Sequence, residues 1–174
     1  MGPGLRRDDS HTEAAGSHMT PAALLATWFG VGKLKPAPGT WGSLAAVPLG
    51  WLLVHSTGLI GLSIAIVVVF AIGVWAAEQY EQESGAHDSS EVVIDEVVGQ
   101  WIAFLPLTLL EAPLWAYMLS FGLFRLFDIW KPWPISYLDD HIGGGIGVMI
   151  DDVAAGFTAA LILYVFMHFG MLKW

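Results

Sequence analysis

Three polar stretches of this 174-residue chain carry side chains that could do chemistry. The richest covers residues 125–156 and holds Asp128, Asp139, Asp140, Asp151 and Asp152, with Arg125, Lys131 and His141 among them. A second, residues 78–96, ends in Asp95 and Glu96, and a third, residues 30–44, carries Lys33, Lys35, Thr40 and Ser43. Asp95, Glu96, Asp128, Asp151 and Asp152 all stand where polar chain meets an apolar run, a place where charge is expensive to hold. Carboxylates brought together raise one another's pKa unless a cation joins them. Hard oxygen ligands select Mg²⁺ or Mn²⁺, and Mg²⁺ tends to keep waters and recruit substrate phosphate. Such an ion polarises a phosphoryl oxygen and activates water near neutral pH. Arg125, Lys131, Lys33 and Lys35 suit phosphate oxygens. The backbone N–H groups of residues 39–43, opening a helix, add an anion cradle that includes Thr40 and Ser43. The pattern points to metal-assisted phosphoryl chemistry on a lipid headgroup.

Each feature also has a blander reading. Adjacent acids such as Asp139 and Asp140 are most often solvated loop charge. Asp151–Asp152 and Asp95–Glu96 would serve as helix N-terminal acids, where they favour the dipole. Glu78, Glu81 and Glu83 suit a solvated helix end. His87 and His141 are single loop histidines, and Trp130 and Trp133 suit interface anchors. The run of residues 143–147 lacks the spacing and strand–helix context of a nucleotide loop. The coincidence of three acid-bearing stretches at apolar boundaries favours a site.

The elements that must position these groups are apolar helices. The chain is 55% hydrophobic and only 13% charged, against about a quarter charged in soluble domains, and its mean hydropathy is +0.61. Nine Trp and nine Phe suit interfacial belts as well as a core. The expected fold is all-α: a polytopic integral membrane helical bundle with short or re-entrant helices and an active site on the cytoplasmic face. A net charge of −9 makes nucleic acid an unsuitable partner. With no cysteine there is neither a disulfide framework nor thiolate chemistry. Residues 1–18 end in a GSH run before Met19 and read as an expression tag or linker, leaving 19–174 as one membrane-embedded domain. No signal peptide is expected in residues 20–29.

Taken in order, residues 21–29 suit a short interfacial helix and residues 30–44 a loop, with Thr40 and Ser43 available as helix N-caps. Residues 44–54 make a helix of roughly 16 Å, so this piece is either half-depth or extends back through the loop. Residues 59–77, 97–110, 114–127 and 153–172 are the other apolar runs. If the breaks at 55–58 (HSTG) and 111–113 (EAP) are reversals, the three polar stretches emerge on one face. If either is only a kink, no shared site forms. Lys33, Lys35, Arg125 and Lys131 would lie on that face and Lys173 opposite, which makes the shared face cytoplasmic.

Four separated motifs in order, FGVGKLKPAPGTWGSLAAVP, VVIDEVVGQWIA, FRLFDIWKPWPI and GGIGVMIDDVAAG, resemble the phosphatidylglycerophosphatase A family over about residues 25–164. The resemblance implies Mg²⁺-dependent conversion of phosphatidylglycerophosphate to phosphatidylglycerol in the bacterial inner membrane. Transferred motif by motif, it places Asp95 and Glu96, Asp128, and Asp151 and Asp152 in the site. The expected division of labour puts metal on Asp95, Glu96, Asp128 and Asp152, phosphate on Arg125 and Lys131, and Asp151 as a further ligand or the base that orients water. Patterns of the CDP-alcohol phosphatidyltransferases, the aspartyl-phosphate phosphatases and the type 2 phosphatidate phosphatases are absent. Two rivals stand beside this expectation. One is a small ion-coupled transporter or its subunit, with acids in mid-span and access from both sides. The other is an enzyme that moves a phospho-group between lipids. Oligomeric state is left open.

Overall fold

The computed structural model describes residues 19–86 and 89–171, and all regular structure among them is helical. Residues 1–18, His87 and Lys173 lie outside the described residues, so the tag reading and the placement of that lysine are not addressed. Helix α1 (Pro21–Ala26) starts on the Thr20 hydroxyl, which accepts from the Ala23 N–H at 3.1 Å, with proline in the first turn. After a 3₁₀ turn at Val31–Lys33, α2 runs Pro38–Ser84. Then come α3 (Ile94–Ala103), a 3₁₀ helix (Leu105–Leu109), α4 (Leu114–Trp130), α5 (Ile135–His141) and α6 (Gly144–His168).

Helix α2 is two antiparallel limbs joined at Gly58. There the backbone takes φ 61°, ψ −155°, a region essentially reserved for glycine. Before the break, His55, Ser56 and Thr57 fold their side chains back onto the carbonyls of Trp51, Leu52 and Leu53, one turn earlier. These carbonyls are thereby shared between a backbone N–H and a side chain, a back-bonding that bends helices. The reversal is visible in packing. Val93 sits against Gly42 on the first limb, and its neighbour Ile94 sits against Gly73 on the second. In one straight helix those glycines would be about 46 Å apart. The first limb spans residues 38–57, about 30 Å, so the short apolar run does extend back through the expected loop. Residues 38–44 are helical, and Ala37 occupies the N-cap position rather than Thr40 or Ser43.

Helix α3 is the buried centre. Every residue of it except Asp95 and Glu96 is buried, enclosed by α2, α4 and α6. At about 15 Å it reaches half the roughly 30 Å hydrocarbon depth. It ends at Ala103, shorter than the apolar run 97–110 suggests, because the chain tightens into the 3₁₀ helix at Leu105. The Ser120 hydroxyl donates to the Ala103 carbonyl at 2.9 Å, and the Trp101 indole donates to Ala46 O at 3.0 Å. Contacts of α4 with α3 then run backwards, Ser120 with Ala103 and Arg125 with Glu96, so the break at 111–113 is also a reversal.

Helix α6 begins at Gly144, nine residues before the expected start of the last span. Gly145 lies against the Val74 carbonyl on the second limb of α2. Further along, Gly156 lies against Gly99 of α3, where a Cβ on residue 156 would collide with the Gly99 carbonyl. Helices α2 and α6 are long and apolar enough to cross a membrane. Much of α2 turns large apolar side chains outward, Leu52, Ile60, Ile64, Val67 and Trp75 among them.

The Gly99–Gly156 contact yields a paired prediction. Gly156→Ala forces backbone against backbone and is expected to destabilise the chain by about 1–3 kcal/mol. Gly122→Ala on α4, where a Cβ meets nothing within 4 Å, is expected to be neutral or stabilising by up to about 1 kcal/mol. Thermal unfolding in detergent, followed by circular dichroism, compares the two.

Candidate active site

The two reversals bring the polar ends of α2, α3, α4 and α6 together around a cavity of about 520 Å³. Asp95 and Glu96 enter from the first turn of α3. Arg125 and Asp128 come from the end of α4, three residues apart on one face, and Lys131 is its C-cap in left-handed conformation, φ 44°. Asp151 and Asp152 come from α6, where they are buried two turns inside the helix at 7% and 3% exposure. That depth rules out the N-terminal capping reading for this pair. For Asp95 and Glu96, the first-turn position and the site are the same place.

Two basic side chains thread the acids. Arg125 Nη1 lies 2.6 Å from Asp128 Oδ2 and 3.9 Å from Glu96 Oε1, and donates to Ser43 Oγ at 3.2 Å. Ser43 Oγ in turn donates to Gly39 O at 2.8 Å. Gly39 has no side chain because the Glu96 carboxylate occupies that volume. Lys131 Nζ lies 2.8 Å from both Asp151 Oδ2 and Asp139 Oδ1. Burial works against its charge, but the hydrogen bonds and charges of Asp139 and Asp151 outweigh that and hold its pKa above the ordinary lysine value.

The carboxylates are less well compensated. Glu96 Oε2, Asp151 Oδ1 and Asp152 Oδ2 are buried with no hydrogen-bond partner, and a buried orphan of this kind costs about 1–3 kcal/mol or more. On the first turn of α3, burial pushes Glu96 from 4.5 up to about 8. Asp152 and Asp128 add to that rise, while Asp95 and Arg125 oppose it. Asp95 is also raised, by burial first and then by Glu96. One carboxylate oxygen from each of Asp95, Glu96 and Asp152 lies within 4.8 Å of the others, and the same holds for Asp128, Asp151 and Asp152. Orphaned hard oxygens converging at this spacing fit a divalent cation of the Mg²⁺ or Mn²⁺ type.

Of the residues singled out from sequence, Asp95, Glu96, Arg125, Asp128, Lys131, Asp151 and Asp152 line one cavity. Lys33, Lys35, Thr40 and Ser43 do not. The two lysines are exposed, with Lys33 Nζ 3.5 Å from Met19 Sδ, and Ser43 is fully buried behind Arg125, which it positions. Gly39, expected in an anion cradle, does line the cavity, while sequence reasoning missed Glu81 and Asp139. Glu81, on the exit limb of α2, lines the cavity; its reading as solvated helix end overlooked that this limb returns to the site. Asp139, read as loop charge, sits on α5 eight residues after Lys131 and holds it. His141 is at the rim, exposed, stacked on Tyr137 with ring centroids 4.0 Å apart.

Residues 24–167 match the family model for phosphatidylglycerophosphatase A. The chain is 38% identical over 162 residues to a phosphatidylglycerophosphatase A of Escherichia coli strain K12, covering 91% of this chain and 92% of that protein. It is 39% identical to a protein of the same name from Haemophilus influenzae, over 87% of this chain and 92% of the relative. A Bacteroides thetaiotaomicron relative, named for a phosphatidylinositol-3-phosphatase, is 38% identical over the same shares of the two chains. No solved structure matches the chain.

The Glu96 environment predicts a pH slope. Between 4.5 and about 8 the folded chain keeps a proton that the unfolded chain has released. Stability is therefore fully present below 4.5 and falls as pH rises toward 8. Metal-free protein is expected to lose thermal midpoint across that window. Glu96→Gln is expected to flatten the slope, and so is added Mg²⁺. Melts at a series of pH values, with chelator or with Mg²⁺, measure it.

Proposed function

The chain belongs to the phosphatidylglycerophosphatase A family, and from that premise we propose that it hydrolyses phosphatidylglycerophosphate to phosphatidylglycerol and inorganic phosphate in phospholipid biosynthesis, with Mg²⁺ as cofactor and Mn²⁺ as a substitute. The observation that carries the reading is one cavity in which Asp95, Glu96, Asp128, Asp151 and Asp152 meet Arg125 and Lys131 at one end of an apolar helical bundle. Residues 19–174 form one polytopic membrane domain of the bacterial inner membrane, with the cavity at the cytoplasmic surface. The outward apolar face of α2 supports the first part, and Arg125 and Lys131 at the cavity support the second.

Asp95, Glu96 and Asp152 would hold the ion, with Asp128 facing them across Arg125. When bound, Mg²⁺ supplies charge against the phosphate oxygens and makes water more acidic. Arg125 and Lys131 donate to the terminal phosphate and fix its orientation. Asp151, whose Oδ2 is held by Lys131 until phosphate arrives, offers its unpartnered Oδ1 to the attacking water and accepts its proton. The water oxygen bonds to phosphorus, and the bond from phosphorus to the glycerol oxygen breaks. That glycerol oxygen takes up a proton from solvent at the open mouth of the cavity, and Asp151 returns its proton to solvent as phosphate leaves. Buried walls around Asp151 and Asp152 limit competing solvent.

Purified protein in detergent is expected to release inorganic phosphate from phosphatidylglycerophosphate with Mg²⁺, and to stop when chelator is added. Folded Asp152→Asn is expected to lose at least about 100-fold in rate, as loss of a charge-stabilising group does elsewhere. Phosphatidylinositol 3-phosphate in a parallel assay tests the headgroup, given the Bacteroides relative's name. Phosphate transferred to a second lipid with none set free would replace hydrolysis by phospho-group transfer. Absence of any turnover by folded, ion-loaded protein would bring the transporter reading forward.

A further inference from the structure

The two acid triads share Asp152 but are not equivalent. In the outer triad, Asp128 and Asp151 already have basic partners, Arg125 at 2.6 Å and Lys131 at 2.8 Å. In the inner triad the nearest basic atom is Arg125 Nη1, 3.9 Å from Glu96, and among the described residues no ion pair reaches Asp95 or Asp152. Asp152 Oδ2 is an orphan on a residue that is 97% buried, on the reading of its 3% exposure. The inner triad is therefore open to a cation as it stands, while the outer one is occupied by the protein's own side chains.

Charge balance gives the arrangement an order. The two triads set five carboxylates against Arg125 and Lys131, and Glu81, Asp139 and Asp140 also line the cavity, so one divalent ion leaves it negative. An arriving phosphate monoester adds further negative charge. It also competes directly for Arg125 and Lys131, since phosphate oxygens are the stronger match for both. Lys131 is suited to leave: its side chain is a third exposed and already divided between Asp151 and the exposed Asp139. Once the two basic groups turn to phosphate, Asp128 and Asp151 are left bare beside Asp152.

We propose that the site binds two divalent cations in sequence: a resident ion on Asp95, Glu96 and Asp152, and a second on Asp128, Asp151 and Asp152 that is admitted when phosphate draws Arg125 and Lys131 away. The inference rests on the phosphatase reading in that phosphate is the group that enters. Arg125 and Lys131 are then exchangeable counter-ions that keep the outer triad closed until substrate is present. By linkage, phosphate and the second ion raise each other's affinity by one common factor.

The test uses the full chain in detergent, with Mn²⁺ as probe, and counts ions by equilibrium dialysis while electron paramagnetic resonance reports coupling between them. With Mn²⁺ alone, one ion per chain and an uncoupled spectrum are expected. With Mn²⁺ and inorganic phosphate, two ions and an exchange-coupled spectrum are expected, and the affinity for phosphate should rise by at least about fivefold when the second ion binds. Lys131→Gln should tighten the second Mn²⁺ by a similar factor without phosphate, and Asp128→Asn should stop at one ion with phosphate present. Two ions of equal affinity without phosphate, or one ion at saturation with it, would overturn the proposal. If wild type saturates at one ion yet still releases phosphate from lipid, only the two-ion order fails. If folded, ion-loaded protein releases none, the phosphatase reading fails.

Discussion

Five carboxylates will not share a cavity unless their backbones are held there against mutual repulsion. The contact that does this is the meeting of α3 and α6 at Gly99 and Gly156, where the two main chains touch without intervening side chains. Glu96 lies one turn before Gly99, and Asp152 one turn before Gly156. The approach at the glycines therefore sets how close the acids come. Arg125 and Lys131 offset part of the repulsion, and the orphaned oxygens of Glu96, Asp151 and Asp152 mark what they leave over. Apolar packing, which is not directional, supplies the rest of the restraint through Ile94, Val98, Ile102 and Met149.

A short helix at the centre of such a bundle is acceptable because its ends are occupied. Buried backbone groups must find partners within the protein. At the inner end of α3, Ser120 meets the Ala103 carbonyl and the 3₁₀ helix carries the chain onward. At the outer end, the N-terminal N–H groups and their dipole face the cavity, a favourable place for negative charge. The helix that looks too short to span is thus the one whose start can point into a site from the middle of the molecule.

Much of the site was legible because its side chains are chemically conspicuous. Acids beside apolar runs stand out, and HSTG and EAP announce breaks, but whether each is a reversal or a kink is settled only by Val93 and Ile94 bridging the two limbs of α2 and by Ser120 meeting Ala103. The α6 boundary was not legible. Gly143, Gly144, Gly145 and Gly147 look pliable, yet the helix starts among them because Gly145 must pass the Val74 carbonyl and no larger residue fits. Tertiary packing overrode local propensity there. Lys33 and Lys35 were drawn toward phosphate by charge alone, and nothing in a linear pattern says that the turn before Pro38 leaves them outside the cavity. Ser43 looked like a ligand or a cap; its hydroxyl serves Arg125 across 82 positions of chain.

Gly58 has a mechanical consequence. It joins the two limbs of α2 at the end away from the site, with nothing within 4 Å of where a side chain would be, so contacts at that position do not fix the angle between the two long lever arms. An angular error of about ten degrees there would displace the other end of a 30 Å limb by about 5 Å. Such an error would be enough to separate Gly39 from Glu96. Gly58 itself cannot supply that accuracy. The clasp of Val93 on Gly42 and Ile94 on Gly73 must do so, which makes those two adjacent apolar residues, immediately before Asp95, the alignment gauge for both arms.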